Sequence, residues 1–139
     1  MGLTTDPESP CLREIQPSGM QKCYLVLSEE ERAKGFVMPV HRSYTHLKCG
    51  TVTTMVLALC ETYARNPKFY GGTFCCGCGA HFRLLDYGRE ASEAAGRDIF
   101  KHAFEWPDGT PVGSTPEEAE AVLAARKADE ASRFAGERI

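Results

Sequence analysis

Two short segments of this 139-residue chain share one pattern, which constrains the fold more than any other feature of the sequence. The pattern is H-L-K-C-G at 46–50 and C-C-G-C-G at 75–79. In each segment two residues separate two candidate ligands, and a glycine follows. Such spacing lets the backbone fold over one metal ion, and the glycine permits a positive φ or a close approach of backbone to sulfur. Together the segments predict one four-ligand site.

The ligand types indicate zinc, because one imidazole and three thiolates suit a borderline-soft, tetrahedral ion better than an iron–sulfur cluster. The preferred ligands are His46, Cys49, Cys75 and Cys78. His81 is the alternative to His46, and Cys76 is the alternative to Cys75. Four protein ligands close the site, so we expect a single structural Zn²⁺ that contributes to folding. Buried thiols that share this spacing by chance are the competing interpretation.

Hydrophobic periodicity predicts the elements around the site. Strand patterns occur at 22–27 and in hairpins at 67–85 and 104–112, and Ser28 with the acidic run after it starts a short helix. Between the two segments, apolar residues three and four apart predict a helix over 52–63, although the β-branched residues at 51–54 favour a strand.

The C-terminal third of the chain adds two predicted helices. One covers 89–103, and the capping box Thr115-Pro116-Glu117-Glu118 starts another that runs to about residue 134. The apolar face of that last helix is thin, which is typical of a helix that is solvated or packs on a partner.

These elements define an α+β fold, a small zinc ribbon of β-hairpins around one metal. A helix lies between the two knuckles, and a capped helix ends the chain. The predicted domains are a flexible N-terminal arm (1–20), a zinc-binding domain (21–114) and a C-terminal helix (115–139).

The remaining cysteines, Cys11, Cys23 and Cys60, show no ligand spacing and are expected to be buried apolar residues. The total of seven is odd, and the N-terminus has no signal-like apolar run, so a disulfide scaffold is not favoured. The apolar run at 55–60 is far shorter than a membrane span. We expect a cytoplasmic protein with reduced thiols.

The formal charge of −3 is unevenly distributed. Residues 32–89 carry eight basic and two acidic side chains, and both flanks are acidic. Basic groups neutralise phosphates and aromatic rings stack on bases, so this segment could contact nucleic acid. The candidate contacts are Arg42, Lys48, Arg65, Lys68, Tyr70 and Arg83. The alternative is that the aromatic residues form the core and the charges are solvated.

Enzyme signatures are missing from the sequence. It contains no His-x-Glu of a zinc deaminase, no phosphate-binding glycine loop, no Gly-x-Ser-x-Gly and no His-Glu-x-x-His. A hydrolytic metal site would have to use His81 or His102 with Asp86. We therefore expect no catalytic residues.

Several motifs together resemble those of small zinc-knuckle proteins encoded by phages and prophages. They are Y-x-H-x-x-C-G at 44–50, E-T-Y-A at 61–64, P-K-F-Y-G at 67–71, F-C-x-x-C-x-x-H-F at 74–82 and W-x-D-G-x-x-V-G-S at 106–114. The resemblance covers about residues 36–114, and residues 86–103 have no counterpart in it. It implies a phage gene product and the same four metal ligands, and it implies no reaction.

The sequence thus leads us to expect a non-enzymatic, zinc-stabilised binding module. Its partner would be a host or viral protein, with the module acting as an inhibitor or adaptor of a host complex. A nucleic-acid-binding zinc ribbon that uses residues 32–89 is the alternative, and a metal-dependent hydrolase is the weaker one. We expect no membrane partner.

Overall fold

A computed structural model describes residues 2–84, 104–124 and 127, so the helix predicted over 89–103 lies outside the described residues. The strands are β1 (Gly2–Thr4), β2 (Cys23–Leu25), β3 (Ser43–His46), β4 (Val52–Thr54), β5 (Gly72–Cys75), β6 (Ala80–Arg83) and β7 (Phe104–Glu105). The helices are α1 (Glu29–Arg32), α2 (Leu57–Arg65) and α3 (116–124), and a 3₁₀ turn covers Pro10–Arg13. The chain mixes helices with small sheets, as predicted.

The N-terminal residues pack beside β2. β1 pairs with β2 in parallel, with Gly2 opposite Cys23. The 3₁₀ turn then brings Cys11 to Cys23, and these residues form a disulfide with their Cα atoms 5.4 Å apart. The prediction that Cys11 and Cys23 are unpaired apolar thiols is therefore wrong, because the chain turns back at the Ile15–Gln21 bridge and returns the 3₁₀ turn to β2. Cys60 is buried, as predicted.

Two helix starts follow the predicted capping chemistry. Ser28 Oγ accepts a hydrogen bond from the Glu31 backbone N–H at 3.2 Å at the start of α1. At α3, Thr115 Oγ1 accepts from the Glu118 N–H at 3.2 Å, while Glu118 Oε1 accepts from the Thr115 N–H at 3.1 Å. This reciprocal pair satisfies two N–H groups that lack partners within the helix.

The segment predicted as a helix over 52–63 instead begins as a strand. β4 pairs antiparallel with β3, with Thr53 opposite Tyr44, and α2 starts only at Leu57. The β-branched residues thus make the first part of the segment a strand, because they also gain a neighbouring strand to pair with. The helical period holds from Leu59 onward, where Leu59, Cys60 and Tyr63 are buried.

Both predicted hairpins are present. β5 and β6 pair antiparallel, with Gly72 opposite Arg83. β7 adds to the other edge of β3, so the central sheet has the order β4-β3-β7. The chain then turns back through Gly109, whose φ is +86°, and Pro111 bridges to Glu105.

Aromatic rings fill the space between the central sheet and α2. The Tyr44 and Tyr63 rings both meet Trp106 edge to face, at centroid distances of 6.2 and 5.1 Å. Tyr44 also donates its hydroxyl hydrogen to the Phe74 carbonyl, which ties the central sheet to β5. Across the described residues, no helix has the length and apolar character needed to cross a membrane.

Candidate metal centre

The first knuckle is the turn between β3 and β4. His46 ends β3, and its carbonyl accepts a 2.7 Å hydrogen bond from the Gly50 N–H. Gly50 has φ +71°, a left-handed conformation that L side chains rarely adopt. The turn brings the Cys49 sulfur to 3.4 Å from His46 Nδ1.

The second knuckle is the turn between β5 and β6 and repeats this construction. The Cys75 carbonyl accepts from the Gly79 N–H at 2.8 Å, and Gly79 has φ +65°. The Cys78 N–H points to the Cys75 sulfur at 3.4 Å. The predicted positive φ is confirmed at both Gly50 and Gly79.

The two knuckles face each other and bring four side chains together. The ligand atoms of His46, Cys49, Cys75 and Cys78 all lie within 4.8 Å of one another. The Cys49 and Cys75 sulfurs are 3.4 Å apart, and the Cys78 sulfur is 3.6 Å from His46 Nδ1. These four residues lie close enough to hold a metal ion.

β4 sets the distance between the knuckles. The Cys76 N–H donates to Thr53 Oγ1 at 3.2 Å, so the second knuckle is bonded to the strand that follows the first. The Thr51 side chain lies against Gly77, where an added Cβ would be 2.3 Å from Thr51 Oγ1. A strand at 52–54 is therefore part of the site, although the sequence predicted a helix there.

Two aromatic rings pack against the His46 imidazole and orient it. The Phe104 ring stacks on it at 4.4 Å between centroids, and the Phe82 ring lies at 4.7 Å. His46 is fully buried, and its Nε2 has no hydrogen-bond partner in the described part of the chain. Only Nδ1 faces the sulfurs, so the chain presents Nδ1 as the ligand atom.

The thiols of Cys49 and Cys78 differ in pKa. Hydrogen bonds from Thr51 lower the pKa of Cys49 to about 6. Desolvation and the neighbouring Cys75 and Cys49 sulfurs raise the pKa of Cys78 to about 11. Like charges placed this close oppose one another, and a bound cation would relieve that repulsion.

The two alternative ligands have other partners. His81 Nε2 lies 3.0 Å from the Tyr24 hydroxyl, and desolvation lowers the pKa of His81. The Cys76 sulfur accepts from Thr53 Oγ1 at 3.4 Å. Neither His81 nor Cys76 belongs to the four-residue cluster.

The N-terminal segment contacts the second knuckle, which the sequence did not predict. An added Cβ on Gly19 would lie 2.0 Å from the Gly79 carbonyl oxygen, and Gly19 has φ +91°. The Cys11–Cys23 disulfide closes the loop that carries Gly19. The only sequence signal for this contact is the Ser18-Gly19 turn composition, which gives no partner.

Two of the predicted nucleic-acid contacts have partners within the chain. Lys68 Nζ pairs with Glu118 Oε1 at 2.7 Å. Tyr70 donates its hydroxyl hydrogen to the Leu25 carbonyl at 2.5 Å, and its ring lies 4.8 Å from that of Tyr63. The Tyr70 ring is thus partly packed against the core.

The other four predicted nucleic-acid contacts are spread over several parts of the chain. Arg65 and Arg83 donate to the backbone carbonyls of Gly35 and Leu84, at 3.4 and 3.5 Å. Arg42 and Lys48 are exposed, and Lys48 lies within the first knuckle. Among the hydrolase candidates, Asp86 and His102 fall outside the described residues.

Comparison with protein-family models, curated proteins and solved structures finds no match for this chain.

Proposed function

We propose that this protein is a zinc-stabilised binding module in which His46, Cys49, Cys75 and Cys78 hold one structural zinc ion. Ligand atoms ~2.0–2.3 Å from a tetrahedral zinc are roughly 3.3–3.8 Å apart. The 3.4 Å between the Cys49 and Cys75 sulfurs supports this ion, as does the 3.6 Å between Cys78 and His46. The convergence of these four ligand atoms is the observation that carries the proposal.

The placement of the ligands supports a zinc ribbon. Each knuckle lies in the turn of an antiparallel strand pair, β3–β4 or β5–β6, and each ends in a glycine with positive φ. In this arrangement zinc joins two hairpins that also contact each other through the Cys76–Thr53 and Tyr44–Phe74 hydrogen bonds. Structural zinc can supply about 10–16 kcal/mol to the folding of a small domain.

We further propose that the module is non-enzymatic and binds a protein of the host or virus. A set of four protein ligands leaves no coordination position for a reacting water, which argues against the hydrolase alternative. The surface also carries exposed apolar side chains on the two walls of one groove, which supports a protein partner. They are Val37 and Leu123, at 53 and 39% exposure.

Affinity capture tests this function. Tagged zinc-loaded protein is immobilised and exposed to host extract, beside the Cys49→Ser/Cys78→Ser double variant and a Cys76→Ser control that keeps all four ligands. We expect the wild type and Cys76→Ser to retain the same host protein, and the purified host protein to bind each in a defined stoichiometry. If none of the purified candidate proteins binds the wild type, the proposal is contradicted.

Nucleic-acid binding by residues 32–89 is the second candidate, and exposed Arg42 and Lys48 favour it. The Lys68–Glu118 ion pair and the packed Tyr70 ring count against it. Labelled single-stranded and duplex DNA and RNA at about 50 mM salt discriminate between the two functions, because phosphate contacts are strong there. Binding that weakens steeply with salt and with Arg42→Ala/Lys48→Ala would support this candidate, and no binding would end it.

A further inference from the structure

A groove separates the loop at 37–39 from the start of α3, on a part of the surface that the metal ligands do not use. It has a volume of about 300 Å³, at the lower end of the range for ligand sites in proteins. Its apolar lining is Val37, Met38, Pro39, Pro116, Ala119 and Leu123. The groove is thus largely apolar and open to solvent.

α3 divides its apolar residues between the core and this groove. Val122 is buried at 1% exposure and fixes the helix to the rest of the chain, whereas Ala119, at 7%, lines the groove. Leu123, the next residue along the helix, is 39% exposed, and Val37 on the opposite wall is 53% exposed. These two side chains leave apolar surface in water on both sides of the groove.

The charged groups in the lining are all acidic. Asp108 and Glu120 line the groove, and none of its described lining residues is lysine or arginine. Asp108 Oδ2 lies 3.3 Å from His41 Nε2, so Glu120 is the more available carboxylate. Glu117 is exposed on the first turn of α3. The groove therefore favours a partner that brings positive charge together with apolar side chains.

Both walls are held in place before any partner binds. The Val37 N–H donates to the Ala64 carbonyl at 2.9 Å, which attaches the loop to the end of α2. The capping box fixes the first turn of α3, and Glu118 also pairs with Lys68. A preformed groove spares a ligand the entropic cost of ordering the site.

We propose that this groove binds a short, basic amphipathic segment of a partner protein. Apolar side chains three or four residues apart on that segment would enter between Val37 and Leu123, and flanking lysines or arginines would face Asp108 and Glu120. The inference rests on the proposed function, since it gives the binding module a surface and a class of partner.

Selection from a random peptide library displayed on a carrier tests the groove. The zinc-loaded full chain is the bait, and enriched peptides are then synthesised and titrated by fluorescence anisotropy. We expect peptides with apolar residues at helical spacing and a net positive charge. Leu123→Asp should weaken their binding at least tenfold, and Glu120→Lys should weaken it and reduce its salt dependence. Leu57→Asp, which changes an exposed apolar residue on α2 that does not line the groove, should have no effect.

Other results overturn the proposal. The proposal fails if the enriched peptides are acidic, if they bind Leu123→Asp as tightly as wild type, or if no peptide is enriched. A dimer in sedimentation that Leu123→Asp dissociates would assign the groove to a second copy of the chain. If the captured host protein binds Leu123→Asp as tightly as wild type, the groove is not its binding site, and the proposed function as a binding module is unaffected. If no purified host protein binds wild type, the proposed function itself fails.

Discussion

The His46 imidazole lies face to face with the Phe104 ring, with 4.4 Å between centroids and 14° between the two planes. Phe104 begins β7, which pairs with β3 beside His46, so the register of the central sheet creates this stack. A histidine ligand is usually oriented by a hydrogen bond from its second ring nitrogen. Among the described residues, ring packing and not a hydrogen bond to Nε2 orients the His46 imidazole.

Phe104→Ala should therefore weaken both folding and metal binding. A buried phenylalanine replaced by alanine costs roughly 3–5 kcal/mol of stability. The freed imidazole should also lower zinc affinity, measured by competition with a chromophoric chelator under conditions in which the variant is folded. Val122→Ala, a core change in α3, should lower the free energy of unfolding and leave zinc affinity unchanged. Equal zinc affinities for the two variants would contradict the orienting role of Phe104.

Gly50→Ala should destabilise the protein through backbone conformation alone. No atom lies within 4 Å of an added Cβ at Gly50, but the φ of +71° costs an L residue roughly 1–2 kcal/mol. Gly71 is the matched control, because it is equally open and has no positive φ. Chemical denaturation of the zinc-loaded protein should separate the two variants. A Gly50→Ala variant as stable as Gly71→Ala would show that the turn does not require the left-handed conformation.

Reduction of the Cys11–Cys23 disulfide, or Cys11→Ser, should lower stability. A disulfide typically contributes about 2–4 kcal/mol by restricting the unfolded chain. Because Gly19 in this loop packs against Gly79, the same change should accelerate zinc release to a competing chelator. Cys76→Ser, which removes an unpaired thiol, controls for loss of a cysteine. Oxidised and reduced protein with the same melting temperature and zinc release rate would refute the prediction.

Glu118→Ala should lower the free energy of unfolding more than Glu117→Ala does. The two residues are neighbours on the same helical turn. Glu118 completes the capping box and also pairs with Lys68, whereas Glu117 is exposed. Loss of a cap costs about 0.5–2 kcal/mol, while an exposed first-turn carboxylate contributes about 0.3–1 kcal/mol. Thermal unfolding of both variants tests this difference, and equal losses would argue against the double role of Glu118.

Local chemistry explains what the sequence could predict. Ser28 and Thr115 cap helices through residues three positions away, and a two-residue spacer between ligands acts within one turn. The convergence of the two knuckles also followed from the sequence, because a single metal needs four ligands and each motif supplies two. These features depend on a few neighbouring residues.

Contacts between distant residues explain what the sequence could not predict. β4 forms at Val52–Thr54 because β3 offers it a partner, which outweighs the helical period of the apolar residues. Cys11 meets Cys23 because the chain turns back at the Ile15–Gln21 bridge, where the Lys22 N–H donates to the Glu14 carbonyl. The stacking of Phe104 on His46 likewise joins residues 58 positions apart, and no local pattern indicates it.

The most direct measurement is the metal content of the folded protein. Native mass spectrometry should show one zinc ion per chain in the wild type and in Cys76→Ser, and none in Cys49→Ser/Cys78→Ser. Circular dichroism should show that a chelator unfolds the wild type and that added zinc restores it. A metal-free wild-type chain that is fully folded, or a double variant that retains its zinc, would contradict the account.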